Sequence, residues 1–371
     1  MKFDMRQKTI AAALAAAFIA PATALADNGN VTVYGVFDVT FESVHNDKTT
    51  RSNYSPQVLT NSSRLGFKGR EDLGGGLQAI YQLEAQVNAT GADGTPGTLF
   101  NSQRNSNVGL KGDFGMLFAG YWDTPYKMSR KKVQMLENDS TFAAINIIGR
   151  ESLSGASFVT RQPSLQYWSP NFNGFEVKLG YKPAGDDNTP VAPGIDVSKT
   201  VVSLATSYEN ERFYLTYGYE AMDDVKTTLT ASTYTAVANL TNRANRVIGV
   251  YKFKDGQAGL TYERLDIAQA ASSTATVARN AWSLSGKYKM GNSHVGGFYT
   301  RADDTDGTPD SGAQQFTVRY GYNFSKRTEL YGAYTNLNND TNGKYKFESK
   351  AVDSPAGSTS TGLGVGIVHI F

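Results

Sequence analysis

Thr361-Gly-Leu-Gly-Val-Gly-Ile-Val-His-Ile-Phe371 ends the 371-residue chain. Leu363, Val365, Ile367, His369 and Phe371 occupy alternate positions, and Gly362, Gly364, Gly366, Val368 and Ile370 occupy the others. Successive side chains of a strand point to opposite faces, so this segment predicts a strand with one apolar face and one nearly bare face. A last strand finishing on an aromatic is how a β-barrel of an outer membrane ends. The apolar set would then face lipid and the other set the barrel interior.

The same period of two runs outward through the chain. Val31, Val33, Phe37, Val39 and Phe41 oppose Tyr34, Asp38 and Glu42. Leu65 and Phe67 oppose Arg64, Lys68 and Arg70, and Leu77, Ala79, Tyr81, Leu83 and Val87 oppose Gln78, Gln82 and Glu84. Phe213, Leu215, Tyr217 and Tyr219 oppose Arg212, Thr216 and Glu220; Phe316, Val318, Tyr320, Tyr322 and Phe324 oppose Thr317, Arg319 and Asn323. Alternation alone also suits a soluble sandwich. Aromatics near strand ends, charge on the opposite face, and connections that alternate short and long favour a membrane barrel. Short turns include Asn171–Gly174, Asn210-Glu211 and Gly291-Asn292, whereas 183–197, 221–242 and 268–278 read as long polar loops. The pattern predicts an all-β fold, a 16-stranded antiparallel transmembrane barrel. Its strands fall near 30–44, 61–71, 77–88, 102–112, 116–123, 161–170, 175–183, 198–209, 211–221, 243–254, 256–267, 279–290, 293–302, 313–324, 327–337 and 361–371.

Lys2, Arg6 and Lys8 precede a short apolar run from Ile10 to Ala20, and Ala24-Leu25-Ala26 precedes Asp27. This predicts a signal peptide over 1–26 and an envelope destination for a single barrel domain over 27–371. Without that segment, the 36 basic and 34 acidic residues fall to 33 of each. A neutral chain with no basic patch gives no reason to expect a nucleic-acid partner; selectivity must come from where charges sit. The chain has no cysteine, so a closed hydrogen-bonded barrel is expected to replace disulfides. His45, His294 and His369 form no pair at ligand spacing and sit beside no serine in a catalytic spacing. No cofactor, metal site or enzymatic reaction is expected, and Gly362-x-Gly-x-Gly366 is no nucleotide loop because no helix follows it.

One connection breaks the rhythm. Residues 124–160 separate two strands by far more than a usual loop. They carry Lys127, Arg130, Lys131, Lys132, Glu137 and Asp139 together with Phe142, Ile145, Ile147, Ile148 and Phe158. A loop with its own apolar residues packs on something, and the inner wall of a wide barrel offers a surface. An inward fold would narrow the lumen and place the loop's charges beside passing ions. Packing on neighbouring external loops, or on a second copy, is the other outcome.

Several stretches carry a resemblance. Asn61-Ser-Ser-Arg-Leu-Gly-Phe-Lys-Gly-Arg-Glu-Asp-Leu-Gly-Gly-Gly-Leu-Gln-Ala-Ile-Tyr-Gln-Leu-Glu84, Arg104–Gly115, Trp122–Lys127, Ser325–Tyr331 and the terminal strand resemble the trimeric general porins of Gram-negative bacteria, in their beta-proteobacterial, neisserial-type branch. The resemblance implies an outer-membrane homotrimer that meets lipopolysaccharide and is inserted by the barrel-assembly machinery. It implies passive diffusion of ions and small hydrophilic solutes, with 124–160 folded inward as the constriction. It also points to Arg64, Arg104 and Arg161 on the wall facing Lys127, Arg130, Lys131, Glu137 and Asp139, and to Phe371 as the assembly signal. Alternation supports an inward Arg64. Arg104 shares a face with Val108 and Leu110, so it needs a bulge or an early strand end. Arg161 has the same difficulty with Leu165 and Tyr167, eased by Pro163.

The chain also departs from the family. Tyr121, Gln166, Val368 and Ile370 stand where relatives commonly place basic residues, so part of the positive wall is missing. A weak anion preference is expected. A substrate-specific channel and a surface adhesin on the same scaffold remain as alternatives.

Overall fold

The computed structural model describes residues 31–49, 56–90, 98–134, 140–184, 200–230, 233–268, 276–347 and 354–371. The expected signal peptide, Glu137, Asp139 and most of 183–197 and 268–278 lie outside them.

The strands are β1 Val31–Asn46, β2 in two pieces (Gln57–Thr60 and Arg64–Gly74), β3 Leu77–Val87 and β4 in two pieces (Phe100–Gln103 and Ser106–Gly112). They continue as β5 Gly115–Asp123, β6 Arg161–Trp168, β7 Phe175–Lys182, β8 Val201–Glu209, β9 Phe213–Thr230 and β10 Thr233–Phe253. The last are β11 Gly256–Ala268, β12 Thr276–Met290, β13 Ser293–Ala302, β14 Ala313–Asn323, β15 Thr328–Asn339 and β16 Thr359–Ile370. Both pieces of β2 pair with β1, and both pieces of β4 pair with β3, so the hydrogen-bonded segments make sixteen barrel strands. Each strand pairs antiparallel with the next, and β16 pairs with β1 from Val36↔Ile370 to Asn46↔Ser360. That last pairing closes the barrel and removes the free edge, which no lipid-embedded sheet can tolerate.

All sixteen expected strands are present. One expected loop is not a loop. Over 221–242, β9 and β10 continue as a paired hairpin to Thr230↔Thr233. Its threonine-rich composition reads as polar loop, but threonine is β-branched and suits an extended backbone.

The alternation reads directly as lipid side and inner side. Phe41 (58% exposed), Leu215, Leu260, Leu284, Phe316 and Leu363 (62%) belong to the outer belt. Asp38, Glu42, Thr216, Glu220, Glu263, Thr317 and Arg319, from the opposite parity, are buried inside. Val87 departs from its expected face, because the β3–β4 register shifts between Gln86 and Val87 and turns it inward.

The bare face of β16 has a physical reason. A Cβ on Gly364 would lie 2.9 Å from Phe142 Cζ, and one on Gly362 would lie 2.8 Å from Thr141 Cγ2. The long connection after β5 thus rests on the glycine face of the terminal strand. Its partner β15 covers Gly366 with the Tyr331 ring. Phe371 exchanges backbone hydrogen bonds with Gly35 (3.0 and 3.1 Å) and stacks on Phe37 at 5.6 Å.

Gly364→Val should therefore cost about 1–3 kcal/mol of overpacking. Gly332→Val, where the nearest atom is Gly364 O at 3.9 Å, should be close to neutral. Denaturant unfolding of the two variants measures the difference; equal midpoints would show that Phe142 does not need the glycine face.

Candidate functional site: the pore interior

The segment between β5 and β6 begins with a short helix, α1 Pro125–Ser129, capped by Thr124, whose hydroxyl accepts from Lys127 N (3.2 Å). Pro at the first helical position and a Thr cap are a normal helix start. The helix lies against inward glycines: a Cβ on Gly180 would meet Pro125 Cδ at 2.9 Å, and one on Gly218 would meet Ser129 Oγ at 2.9 Å. Tyr126 N donates to Ser203 Oγ on β8 (2.9 Å).

Its anchor is Glu263 on β11. One carboxylate oxygen accepts from Tyr126 Oη (2.7 Å) and is paired with Arg246 of β10 (2.6 Å). The other accepts from Gly149 N (2.7 Å) and is paired with Arg279 of β12 (3.0 Å). All three charged side chains are 0% exposed. Arg246 stacks over the Tyr126 ring at 4.0 Å and donates to Tyr126 O (3.2 Å). Arg279 donates to Ile147 O (3.0 Å) and to Arg150 O. Further along, Thr141 Oγ1 donates to Glu42 on β1 (2.6 Å), and Gln257 on β11 donates to Lys132 O (2.7 Å).

The apolar residues noted in the sequence fill the space between these bonds. Phe158 packs with Tyr126, Ala244, Leu265 and Ile267. Ile147 and Ile148 pack with Val44, Ala281, Leu337, Tyr345 and Phe347. At the far end Glu151 accepts from Ser154 N (2.6 Å), Leu153 N (3.0 Å) and Thr305 Oγ1 (2.9 Å). Burial opposes its charge, yet these donors hold its carboxyl below the usual range.

Across from α1 lies a cavity of about 440 Å³. Arg64, Arg104, Lys127, Arg130, Lys131 and Arg161 all line it, so six of the expected site residues come together. Arg104 Nε bonds Glu84 Oε1 (2.8 Å), and Arg64 Nε lies 3.7 Å from Glu84 Oε2, which also accepts from Tyr34 Oη (3.0 Å). Asp123 is shared by Lys127 (2.8 Å) and Arg161 (3.0 Å), and Asn105 Oδ1 accepts from Arg161 Nε (3.1 Å). Arg104 reaches the inner face because β4 breaks between Gln103 and Ser106. Arg161 opens β6 opposite Asp123, two residues before Pro163.

The lining also includes Lys68, giving seven basic side chains against the acids Glu84 and Asp123 among the described residues. Glu84, Asp123, Glu263, Arg246 and Arg279 escaped the sequence-based selection. Glu84 stood on the polar face already assigned to β3, so parity held the signal. The Glu263 cluster joins three strands with the long connection; Arg246 faces Glu263 across the β10–β11 hairpin, but no local spacing encodes the bonds to Tyr126 and Gly149. The Gln166 amide donates to Asp123 O (3.1 Å). Among the described residues no cluster of His, Cys, Asp and Glu fit for a metal is found.

A closed antiparallel barrel with an apolar outer belt and charged interior is the architecture of a membrane pore. The family model described as Gram-negative porin matches residues 11–342, and the chain belongs to that family. It is 28% identical over 365 residues to outer membrane porin protein 32 of Delftia acidovorans, covering 96% of this chain and 99% of that one. It is 29% identical over 346 residues to the major outer membrane protein P.IB of Neisseria sicca, covering 87% and 91%. Among solved structures, the anion-selective porin from Comamonas acidovorans superposes with a TM-score of 0.73 at 24% identity, covering 92% of this chain and 99% of that chain. The in-vitro folded trimer form of OmpT of Vibrio cholerae reaches 0.65 at 18% identity, covering 93% and 100%. The chain is therefore an outer-membrane porin, through which ions and small hydrophilic solutes diffuse passively.

Glu263→Gln keeps the shape and removes the only acid among the described residues that Arg246 and Arg279 directly bond. Leaving buried charge uncompensated costs about 3–5 kcal/mol. Protease cleavage within 140–160 should become faster and open-channel current noisier. Unchanged cleavage and noise would mean that this cluster does not hold the segment.

Proposed function

We propose that residues 124–160 form the constriction of the pore and that the constriction favours small anions. The observation that carries this reading is the excess of seven basic over two acidic side chains around the cavity between the segment and the β2–β6 wall, among the described residues. Charges beside a narrow, low-dielectric passage raise the local concentration of ions of opposite sign. Glu84 holds Arg64 and Arg104, and Asp123 holds Lys127 and Arg161. The anion selectivity of the Comamonas porin is in keeping with this sign.

The functional unit in this reading is a homotrimer exported by a signal peptide over 1–26. The barrel domain is 27–371, in contact with lipopolysaccharide, and Phe371 is read by the assembly machinery. The chain works as a channel and carries out no covalent chemistry. Its many internal hydrogen bonds and ion pairs position a passage.

Planar bilayers under a potassium chloride gradient measure the sign directly: the reversal potential should be anion-directed, and a cation-directed potential would reject the proposal. Arg64→Ala with Arg104→Ala removes two cations and leaves Glu84 bonded to the Tyr34 hydroxyl. The anion-to-cation permeability ratio should fall at least about twofold, with the barrel still folded. An unaltered ratio would take these two residues out of the constriction.

A further inference from the structure

We infer that a second cavity, at the short-turn end of the barrel, is a binding site for small multivalent oxyanions. It measures about 310 Å³ and meets the constriction cavity at Ile370, the one residue lining both. Its floor is built rather than merely charged. Arg319 (side chain 7% exposed) and His294 both reach Glu329 Oε1, at 2.9 and 3.2 Å. The Arg319 guanidinium also lies on the Tyr331 ring, 4.0 Å from its centre, which fixes the plane of its donors. Tyr331 Oη is in turn held by Asp38 (2.9 Å).

Around this floor stand four exposed cations. Lys287 and Lys289 project inward from β12, alternating with the lipid-facing Tyr288 and Met290. Lys326 and Arg327 lie in the turn between β14 and β15. The cavity thus gathers five Lys and Arg side chains and His294 against Asp38 and Glu329. Lys289, Lys326 and Arg327 make no ion pair with an acid among the described residues. A monovalent halide can meet one or two of these groups. A dianion with several oxygens, such as a phosphate or a dicarboxylate, can meet the guanidinium and the flexible lysines together through charge-assisted bonds. None of these rim cations belongs to the 124–160 segment or to the Arg64, Arg104 and Arg161 wall, so the site acts on solutes after or before the constriction.

The inference rests on the open-pore reading and has its own test. Purified porin in planar bilayers in potassium chloride receives inorganic phosphate, or separately succinate, on the short-turn side. Wild type should show concentration-dependent current block by at least one of them. The triple variant Lys289→Gln, Lys326→Gln and Arg327→Gln, all at exposed positions, should need roughly fivefold more anion for half block. The Arg64→Ala with Arg104→Ala variant should keep the wild-type half-block concentration from that side. Block by phosphate alone narrows the ligand to phosphoryl groups, by succinate alone to carboxylates, and either supports the site. Equal half-block concentrations in wild type and the triple variant, or no block of wild type by either anion, would overturn it. Absence of any potassium chloride conductance in wild type would instead remove the pore reading itself.

Discussion

Every backbone N–H and C=O that faces lipid must be paired within the protein. The β16–β1 ladder is where that requirement is met last, and the rest of the molecule depends on it. Once the sheet closes, one face of every strand is committed to hydrocarbon. All polar recognition must then be built from the other face and from whatever chain is folded against it. The long connection after β5 supplies that chain. Its docking needs room on the inner wall, which is why Gly362 and Gly364 of the terminal strand, Gly180 of β7 and Gly218 of β9 carry no side chain there.

Closure also explains how buried charge is tolerated. A guanidinium buried in a strand wall is expensive unless its donors are satisfied. Arg246 and Arg279 solve this by sharing Glu263 and by donating to main-chain carbonyls of the connection at Tyr126, Ile147 and Arg150. Glu263 spends its remaining capacity on Tyr126 Oη and Gly149 N. Strand wall and loop are therefore one network, and neither half is satisfied without the other.

Much of this was legible from residue types. Period-two alternation identifies all sixteen strands because lipid on one side and charge on the other impose it at every step. Polar composition alone misreads 221–242, since threonine serves both turns and extended backbone. Arg64 follows from parity. Arg104 does not, because its inward turn depends on a break in β4 that the alternation does not announce. Glu263 was illegible for a different reason: Arg246 faces it across the β10–β11 hairpin and Arg279 lies on the next strand, but Tyr126 and Gly149 belong to the long connection, and only its docking brings them to the wall.

The two groups of arginines inside the barrel illustrate why charge counts say little about selectivity. Arg246 and Arg279 are wholly buried and bonded to Glu263 and to main-chain carbonyls, so no solute reaches them. Arg64 and Arg104, at 23% and 11% side-chain exposure, share the Glu84 carboxylate and both line the cavity. A chain neutral over its expected mature length can thus gather basic side chains around one cavity, as the proposed anion-favouring passage requires. The acids that line that cavity, Glu84 and Asp123, are placed where they hold basic side chains in position.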